Sequence, residues 1–261
     1  MDLAIIGLPQ SGKTTVFNSL THSNADTSGG SGTASEMHVG VVKVPDPRLD
    51  VLTDMYHPKK TIPAEIKYWD LPGVDAETRT QGLSGRHRNI LQGADAFLLV
   101  VRAFSNPSVP HAEGDINPAR DLETMLTELT FADLESMERA NDRVQDSVKK
   151  AKPAERAAFQ RQSETLQKVK QGLESGIPLR QQELSETDIS NIAQYQLFTA
   201  KPVIVAFNID ESVNGPCLDQ LELAPSLTDG LGQVSLCSKL EAELALMTPE
   251  EEAEFRQDLG L

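Results

Sequence analysis

Short apolar runs alternate along the chain with longer polar or amphipathic stretches. The runs read as strands because they are short, rich in branched residues and bounded by turn residues. They are Leu3–Ile6, Val39–Val44, Glu65–Asp70, Ala96–Val101, Pro202–Phe207 and, more weakly, Gly232–Leu236. Near-continuous apolar strands are typical of a sheet that is covered on both faces. The pattern therefore predicts an α/β fold with a mostly parallel sheet covered by helices.

A long polar stretch from Pro118 to Gly176 interrupts this alternation between the fourth and fifth strands. Apolar residues recur in it at helical spacing, and Pro153 lies in the middle, where a turn would fall. These apolar residues are Leu122, Leu126, Leu129, Ala132, Phe159, Leu166 and Leu173. We predict an antiparallel helical hairpin that projects from the sheet, although two surface helices packed on the body remain the simpler alternative. The predicted domains are 1–117 with 199–261 for the sheet and 118–198 for the insertion.

The first strand runs into "GLPQSGKT", which matches the phosphate-binding pattern G-x-x-x-x-G-K-[ST] between a strand and a helix. Glycines let successive backbone N–H groups converge on phosphate oxygens, and the helix N-terminus adds the positive end of its dipole. Lys13 would reach the β- and γ-phosphates, and the Thr14 hydroxyl would ligate Mg²⁺. We therefore predict a phosphate site, and the alternative is an ordinary glycine turn. The residues of the predicted site are Gly7, Pro9, Gln10, Ser11, Gly12, Lys13, Thr14 and Thr15.

Two later motifs follow strands and indicate the rest of a G domain, the P-loop NTPase fold. Asp70 to Gly73 reads D-x-x-G, in which Asp70 would hold Mg²⁺ through a water and the Gly73 N–H would meet the γ-phosphate. Asn208 and Glu211 stand where GTPases carry N-K-x-D for guanine. Small polar residues after the last strand would complete the rim of the base site. The predicted base contacts are Asn208, Ile209, Glu211, Ser235, Leu236 and Cys237.

Composition narrows the class of protein. The chain has 39 acidic and 24 basic residues, for a formal net charge of −15. This balance argues against broad electrostatic binding to nucleic acid, although a local basic patch would still permit it. No apolar run approaches the length of a membrane span. The chain has two cysteines, Cys217 and Cys237, with no C-x-x-C and no metal-ligand spacing. A disulfide framework is therefore not expected, and both thiols are expected to stay reduced in a cytosolic setting. We predict a cytoplasmic protein with no membrane partner.

The chain resembles the YchF or Obg-like ATPase family, within the Obg group of translation-factor-related P-loop GTPases, over nearly its whole length. The similar segments are "VGVVKVPDPRLDVLTDMYHPKKTIPAEIKYWDLPG", "VVRAFSNPSVPHAEGDINPARDLETMLTELTFADLE", "TAKPVIVAFNIDE" and "CSKLEAELA". The resemblance implies a G domain, a coiled-coil insertion at the predicted hairpin, and a carboxy-terminal TGS domain of about a hundred further residues. The printed sequence ends where that domain would begin, as expected either of a fragment or of a diverged member without it.

The choice of nucleotide depends on Glu211. Aspartate in N-K-x-D accepts two hydrogen bonds from guanine, whereas Glu211 is one methylene longer and Ile209 replaces the lysine. Loss of a bidentate contact weakens discrimination. The family's N-x-x-E is linked with ATP use or relaxed choice. We therefore expect ATP or GTP as substrate, with ATP favoured, while a capping role for Glu211 stays open.

The catalytic group is less well specified. Val74 follows D-x-x-G, where many GTPases have a glutamine that positions water, and valine cannot do this. His111 lies in a segment that resembles the family's H-x-E-G, which makes it the candidate catalytic residue beside Lys13 and Gly73. A solvated loop histidine is the simpler interpretation of His111. The alternative catalytic candidates are Arg86, His87 and Arg88 in the second switch, with Gly82 and Gly85 as its hinges.

The switch regions depart from the family pattern. The family's G-E-G-L-G-N appears here as "TQGLSGRH", and "GGSGTASEMH" stands in the first switch. Thr33 is the nearest threonine that could ligate Mg²⁺, although an ungapped alignment puts Ala34 there. We predict a slow Mg²⁺-dependent NTPase that acts as a conformational switch, with ribosome or translation-factor partners implied by the resemblance and reached through the hairpin. The alternative is a nucleotide-binding interaction module whose hydrolysis has decayed.

Overall fold

The structure, a computed structural model, describes residues 1–23, 25, 37–71, 88–111, 113–211, 221 and 223–259. Six strands in this part of the chain form one sheet with the order β2-β3-β1-β4-β5-β6. The six predicted strands are confirmed, with ends that shift by no more than about two residues, the usual uncertainty of an element boundary. The strands are β1 (Asp2–Ile6), β2 (His38–Lys43), β3 (Glu65–Asp70), β4 (Ala96–Ala103), β5 (Val203–Ile209) and β6 (Gly232–Leu236).

Helices alternate with these strands, and the two longest follow each other directly after β4. Three short 3₁₀ turns lie at Leu179–Gln181, Ala193–Tyr195 and Phe198–Ala200. The helices are α1 (Lys13–Thr21), α2 (Pro47–Tyr56), α3 (Arg88–Gly93), α4 (Pro118–Lys150), α5 (Pro153–Glu174), α6 (Glu186–Ile192), α7 (Pro225–Thr228), α8 (Ser238–Leu244) and α9 (Pro249–Leu259).

The sheet is mostly parallel, as the apolar runs predict, but β2 runs antiparallel to β3 at one edge. One face of β2 packs on α1, where a Cβ on Gly40 would lie 2.5 Å from Thr21 Cγ2. On the other face Val39 and Val41 are 44% and 58% exposed. The prediction that helices cover both faces of the sheet is therefore wrong at β2. An antiparallel strand at the edge of a sheet can have one face in solvent.

The central strands carry the sheet core on both faces. Every residue of β4 is buried, and α1 covers one face through Val16 and Phe17. The other face packs against α3 and the first half of α4, chiefly through Leu91, Leu122 and Leu129. The P-loop therefore follows a strand, β1, that is buried from Leu3 to Ile6 between these two layers.

The predicted hairpin is present, and its two helices are α4 and α5, joined by Ala151 and Lys152. Proline occupies the first turn of each helix, where its missing N–H costs nothing. The second half of α4 and the inner face of α5 form their own core, separate from the sheet core. This core includes Met137, Ala140, Val144, Leu166, Val169 and Leu173.

The boundary between the two cores lies inside α4. Residues up to Ala132 pack with the sheet, whereas residues from Met137 onward pack with α5. The predicted division at 118 and 198 stays a prediction, because α4 belongs to both cores. Within the described part of the chain, no helix is long and apolar enough to cross a membrane.

Candidate functional site

The loop between β1 and α1 has a backbone that side chains rarely adopt. Gly7 and Gly12 have φ angles of +152° and +97°, and Gln10 has +61°. A Cβ on Gly7 would lie 2.4 Å from the Val100 carbonyl oxygen, and one on Gly12 would lie 2.2 Å from Asn208 Nδ2. Glycine is therefore required at both positions by conformation and by space. This is the backbone that a phosphate-binding loop needs.

Lys13 begins α1 and is buried, with 7% of its surface exposed. Its ammonium donates to the carbonyls of Gly7 at 3.1 Å and Leu8 at 2.9 Å. Burial lowers the pKa of Lys13 to about 8, and the Asp70 carboxylate opposes part of that shift. The predicted phosphate-binding lysine thus lies within the loop, where it bonds the loop's own carbonyls.

A pH dependence of stability follows from this burial. Between pH 8 and 10.5 the unfolded chain binds a proton at Lys13 that the folded protein has released, so the free energy of unfolding rises with pH in this window. The rise should reach about 3 kcal/mol, at 1.36 kcal/mol per unit of pKa difference. Urea unfolding at several pH values checks it, with Lys13→Met as the matched variant. If the free energy of unfolding changed with pH in the same way in both proteins, the lowered pKa of Lys13 would be contradicted.

Thr14 and Asp70 bring two oxygen ligands together at the carboxyl ends of β1 and β3. Thr14 Oγ1 donates to Asp70 Oδ2 at 2.8 Å, and Asp70 is 3% exposed. Asp70 Oδ1 is buried and has no hydrogen-bond partner in the described part of the chain. A hydroxyl and a carboxylate with an unsatisfied oxygen form a donor set that suits Mg²⁺.

His38 is a neighbour of this pair that the sequence interpretation missed. Its Nδ1 lies 3.4 Å from Asp70 Oδ2, and its ring packs on Phe17 with centroids 6.0 Å apart. The antiparallel register places His38 directly opposite Asp70. Local sequence carries no signal for this contact, because it depends on the direction in which β2 pairs.

Asn208 joins two loops of the predicted nucleotide site. Its Nδ2 donates to the Ser11 carbonyl at 3.0 Å, and its Oδ1 accepts the Ser238 N–H at 3.0 Å. Asn208 is 3% exposed and pairs in register with Leu236 in β6. Both ends of the amide are therefore used between the P-loop and the start of α8, so Asn208 holds these two segments together.

Glu211 lies three residues beyond Asn208, where its Oε1 is 2.5 Å from the Lys239 ammonium. Both side chains are more than half exposed, at 52% and 68%. Lys239 lies two residues beyond Cys237 of the predicted rim, and its closeness in sequence was a usable signal that the prediction left out. The pair presents an acceptor and a donor side by side.

The other predicted contacts lie around these residues. Pro9 is partly buried and Gln10 is exposed, while Ser11 is buried and its hydroxyl has no hydrogen-bond partner among the residues that the structure describes. Thr15 is partly buried in α1, Ile209 ends β5, Ser235 and Leu236 end β6, and Cys237 caps α8. Burial raises the pKa of the Cys237 thiol, so it stays protonated near neutral pH.

His111 is held away from solvent, with a side chain that is 5% exposed. Its Nδ1 accepts the Glu113 N–H at 3.0 Å, so the neutral ring carries its proton on Nε2 and donates to Asp121 Oδ2 at 2.8 Å. The expectation of a solvated loop histidine is therefore wrong. Both ring nitrogens have partners within the protein, and a catalytic role for His111 stays a prediction.

A buried arginine holds the loop that leads to His111. Arg102 is 3% exposed and stands beside Asn208 in the sheet register. Its guanidinium donates to four backbone carbonyls between β4 and the histidine. These carbonyls belong to Phe104, Asn106, Val109 and Pro110.

Arg88, one of the alternative catalytic candidates, points elsewhere. It bonds the Ala132 carbonyl at 3.2 Å and the Ser136 hydroxyl, both on α4. The remaining predictions lie outside the described residues. They concern Gly73 and Thr33, together with Ala34, Val74, Gly82, Gly85, Arg86 and His87.

The chain matches known proteins over most of its length. A sequence model for the family described as "50S ribosome-binding GTPase" matches residues 2–137. The chain is similar to the "Ribosome-binding ATPase YchF" of Haemophilus ducreyi, with 36% identity over 98% of this chain and 70% of that protein. The Bacillus subtilis protein of the same name is 33% identical over the same shares. "Obg-like ATPase 1" of Caenorhabditis elegans is 32% identical over 81% of this chain and 53% of that protein.

The fold is likewise similar to a solved structure. The "Structure of the Schizosaccharomyces pombe YchF GTPase" superposes with a TM-score of 0.77 and 27% identity, over 100% of this chain and 71% of that one. The chain therefore shares both sequence and architecture with these nucleotide-hydrolysing proteins.

Proposed function

Since this chain belongs to the YchF or Obg-like ATPase family of P-loop nucleoside triphosphatases, we propose that it binds ATP or GTP with Mg²⁺ and hydrolyses it slowly as a conformational switch. The observation that carries the proposal is the meeting of Lys13, Thr14 and Asp70 beside the glycine loop. These three groups supply a cation for phosphate oxygens and two oxygens for a divalent metal.

Phosphate binding would exchange the partners of Lys13. Its ammonium bonds two loop carbonyls, and phosphate oxygens would replace them as acceptors. Mg²⁺, when bound, would neutralise developing charge on the phosphates. The Thr14 hydroxyl and the Asp70 carboxylate would hold it, with Asp70 acting through a water as in other P-loop proteins. Asn208 would keep the P-loop and the base loop in register.

The base would lie against the Glu211–Lys239 pair. A carboxylate acceptor beside an ammonium donor complements adenine, whose amino group donates and whose N1 accepts. The same pair can serve guanine through its N1–H and O6, without the bidentate contact that aspartate gives. Discrimination between the bases is then weak, and ATP is favoured by the length of Glu211.

Replacement of Glu211 by aspartate tests this assignment. We expect Glu211→Asp to move the preference toward GTP by about fivefold, because the shorter carboxylate leaves Lys239 and restores the aspartate of N-K-x-D. Calorimetric titration of ATP and GTP, with Mg²⁺, against both proteins measures the shift. Glu243→Asp, at an exposed position of α8, is the control. An unchanged preference would show that Glu211 does not read the base.

One observation favours the alternative, a nucleotide-binding interaction module without turnover. His111 is the candidate for positioning water, and both of its ring nitrogens are bonded to Asp121 and Glu113. Hydrolysis through His111 would require release of the Asp121 bond when nucleotide binds. Turnover that Lys13→Ala abolishes supports the switch, and binding without turnover supports the module.

The proposed setting is the cytoplasm, with a partner on the ribosome. The relatives carry the words "ribosome-binding" in their names, and the hairpin of α4 and α5 offers an elongated surface for such a partner. With a net charge of −15, broad electrostatic binding to RNA is disfavoured, so we propose a protein component as the partner. Co-sedimentation of the nucleotide-bound protein with ribosomes tests the partner.

A further inference from the structure

We call the part of α4 around residues 132–136 and the returning chain of residues 195–201 the root of the hairpin. The short helix α3 contacts both parts of this root. Its described residues are Arg88–Gly93, which come after Asp70 and Gly73 in sequence. Leu91 anchors it in the sheet core at 1% exposure. At its carboxyl end the Gln92 carbonyl accepts the Lys201 ammonium at 2.8 Å, and Gln92 Nε2 donates to the Tyr195 carbonyl at 3.4 Å. Displacement of α3 would therefore also displace the chain that leads from the hairpin into β5.

The Arg88 side chain reaches the place where α4 passes from one core to the other. Its Nη2 donates to the Ala132 carbonyl at 3.2 Å and to the Ser136 hydroxyl. Ala132 is the last α4 residue of the sheet core, and Met137 is the first α4 residue buried in the hairpin core. The guanidinium also lies 5.7 Å from the centre of the Phe198 ring. Arg88 thus contacts both the outgoing and the returning segments of the hairpin.

A buried carboxylate joins those two segments beside Arg88. Asp133 is 1% exposed, and its oxygens accept the Phe198 N–H at 2.8 Å and the Thr199 N–H at 2.7 Å. Burial raises the pKa of Asp133, and the charge of Arg88 opposes the rise. Without the guanidinium, this carboxylate would lose a favourable charge in a water-poor position. The root of the hairpin is therefore fixed by a set of bonds that centre on α3 and Asp133.

Arg88 is only partly satisfied where it lies. Its Nη1 is buried and finds no hydrogen-bond partner within the described ranges. Desolvation of a guanidinium without full pairing disfavours this position. The bonds of Arg88 to α4 and its favourable charge beside Asp133 therefore come with a desolvation cost at Nη1.

We infer that Arg88 couples the nucleotide site to the helical hairpin, by transmitting a shift of α3 to the junction of the two cores in α4. The inference rests on the proposed switch, in which the γ-phosphate rearranges the segment after Asp70. Because Arg88 follows that segment in sequence, the rearrangement changes the bonds to Ala132 and Ser136. The hairpin then changes its attachment to the sheet domain with the state of the nucleotide.

Hydrogen–deuterium exchange on the full chain tests the coupling without labels. Exchange in α4 beyond Ala132 and in 196–200 is compared between saturating ADP and a non-hydrolysable ATP analogue. In the wild-type protein we expect rates that differ about fivefold, the lower end of measured allosteric couplings. Arg88→Met should abolish the difference, and Ser136→Ala, which keeps the Ala132 bond, should reduce it. Arg139→Met is the matched control, because Arg139 is 53% exposed and pairs with Glu135 on the same helix.

The outcomes separate this inference from the proposed function. Calorimetry is run on the same samples, and failure of the wild-type protein to bind either nucleotide would overturn both. Binding with no nucleotide-dependent exchange at the root would overturn the coupling alone. A full wild-type response in Arg88→Met, or an equal loss in Arg139→Met, would also overturn it. If Arg88→Met does not fold, Ser136→Ala decides, since an undiminished response there contradicts the inference.

Discussion

Lys13→Ala is expected to lower the turnover of ATP and GTP at least about 100-fold, the usual effect of removing one group that stabilises transition-state charge. The ammonium is the only side-chain cation that the described part of the loop, residues 7–14, supplies to the phosphates. It is held at the start of α1, where the helix dipole cannot replace a full positive charge. Phosphate release under saturating nucleotide measures the loss, and calorimetry measures the accompanying loss of affinity.

The matched control for this substitution is Lys43→Ala. Lys43 is exposed at the end of β2, far in sequence from the loop, so its removal changes the net charge equally. We expect its turnover to match the wild-type rate. Equal losses in the two variants would show a general charge effect, and wild-type turnover in Lys13→Ala would exclude the loop as the phosphate site.

Asp70→Asn is expected to reduce turnover about 100-fold, through loss of the metal-directed carboxylate. Asparagine has the same shape and can still accept the Thr14 hydroxyl, so the hydrogen bond of 2.8 Å need not break. The substitution removes the negative charge of a carboxylate whose Oδ1 is buried and has no hydrogen-bond partner in the described structure. The Mg²⁺ concentration at half-maximal activity should therefore rise about tenfold or more.

A Mg²⁺ titration of the hydrolysis rate checks this result. Asp54→Asn, at an exposed position on α2, removes the same charge elsewhere and should leave the titration unchanged. Asp70 also opposes the lowering of the Lys13 pKa, so the pKa of Lys13 should fall further in Asp70→Asn. A normal Mg²⁺ requirement in this variant would contradict the assignment of Asp70 as a metal-directed group.

Local sequence was a good guide wherever one segment determines the outcome. The six strands and the hairpin were predictable, because apolar run length, helical spacing and Pro153 all act within a short window. The loop was predictable because its glycines are required by its own backbone, with φ of +97° at Gly12. The antiparallel pairing of β2 was not predictable, since edge strands of either direction share the same composition.

The site residues divide along the same line. Lys13, Thr14 and Asp70 lie together as predicted, because parallel strands end at one edge of the sheet. Asn208, whose contact with a base stays a prediction, joins the P-loop to α8 through bonds that span 197 and 30 residues of sequence. No local pattern contains such a contact.

The sequence by itself determined the class of site, its place after β1, and the family, since each depends on short motifs with fixed backbone requirements. Only the tertiary structure decided what surrounds the motifs. In the folded chain His111 bonds Asp121 and Glu211 pairs with Lys239. Arg88 bonds two residues of α4 that lie 44 and 48 positions away in sequence. The physical reason is that a side chain's partners are set by the packing of whole elements, and that packing is a property of the folded chain.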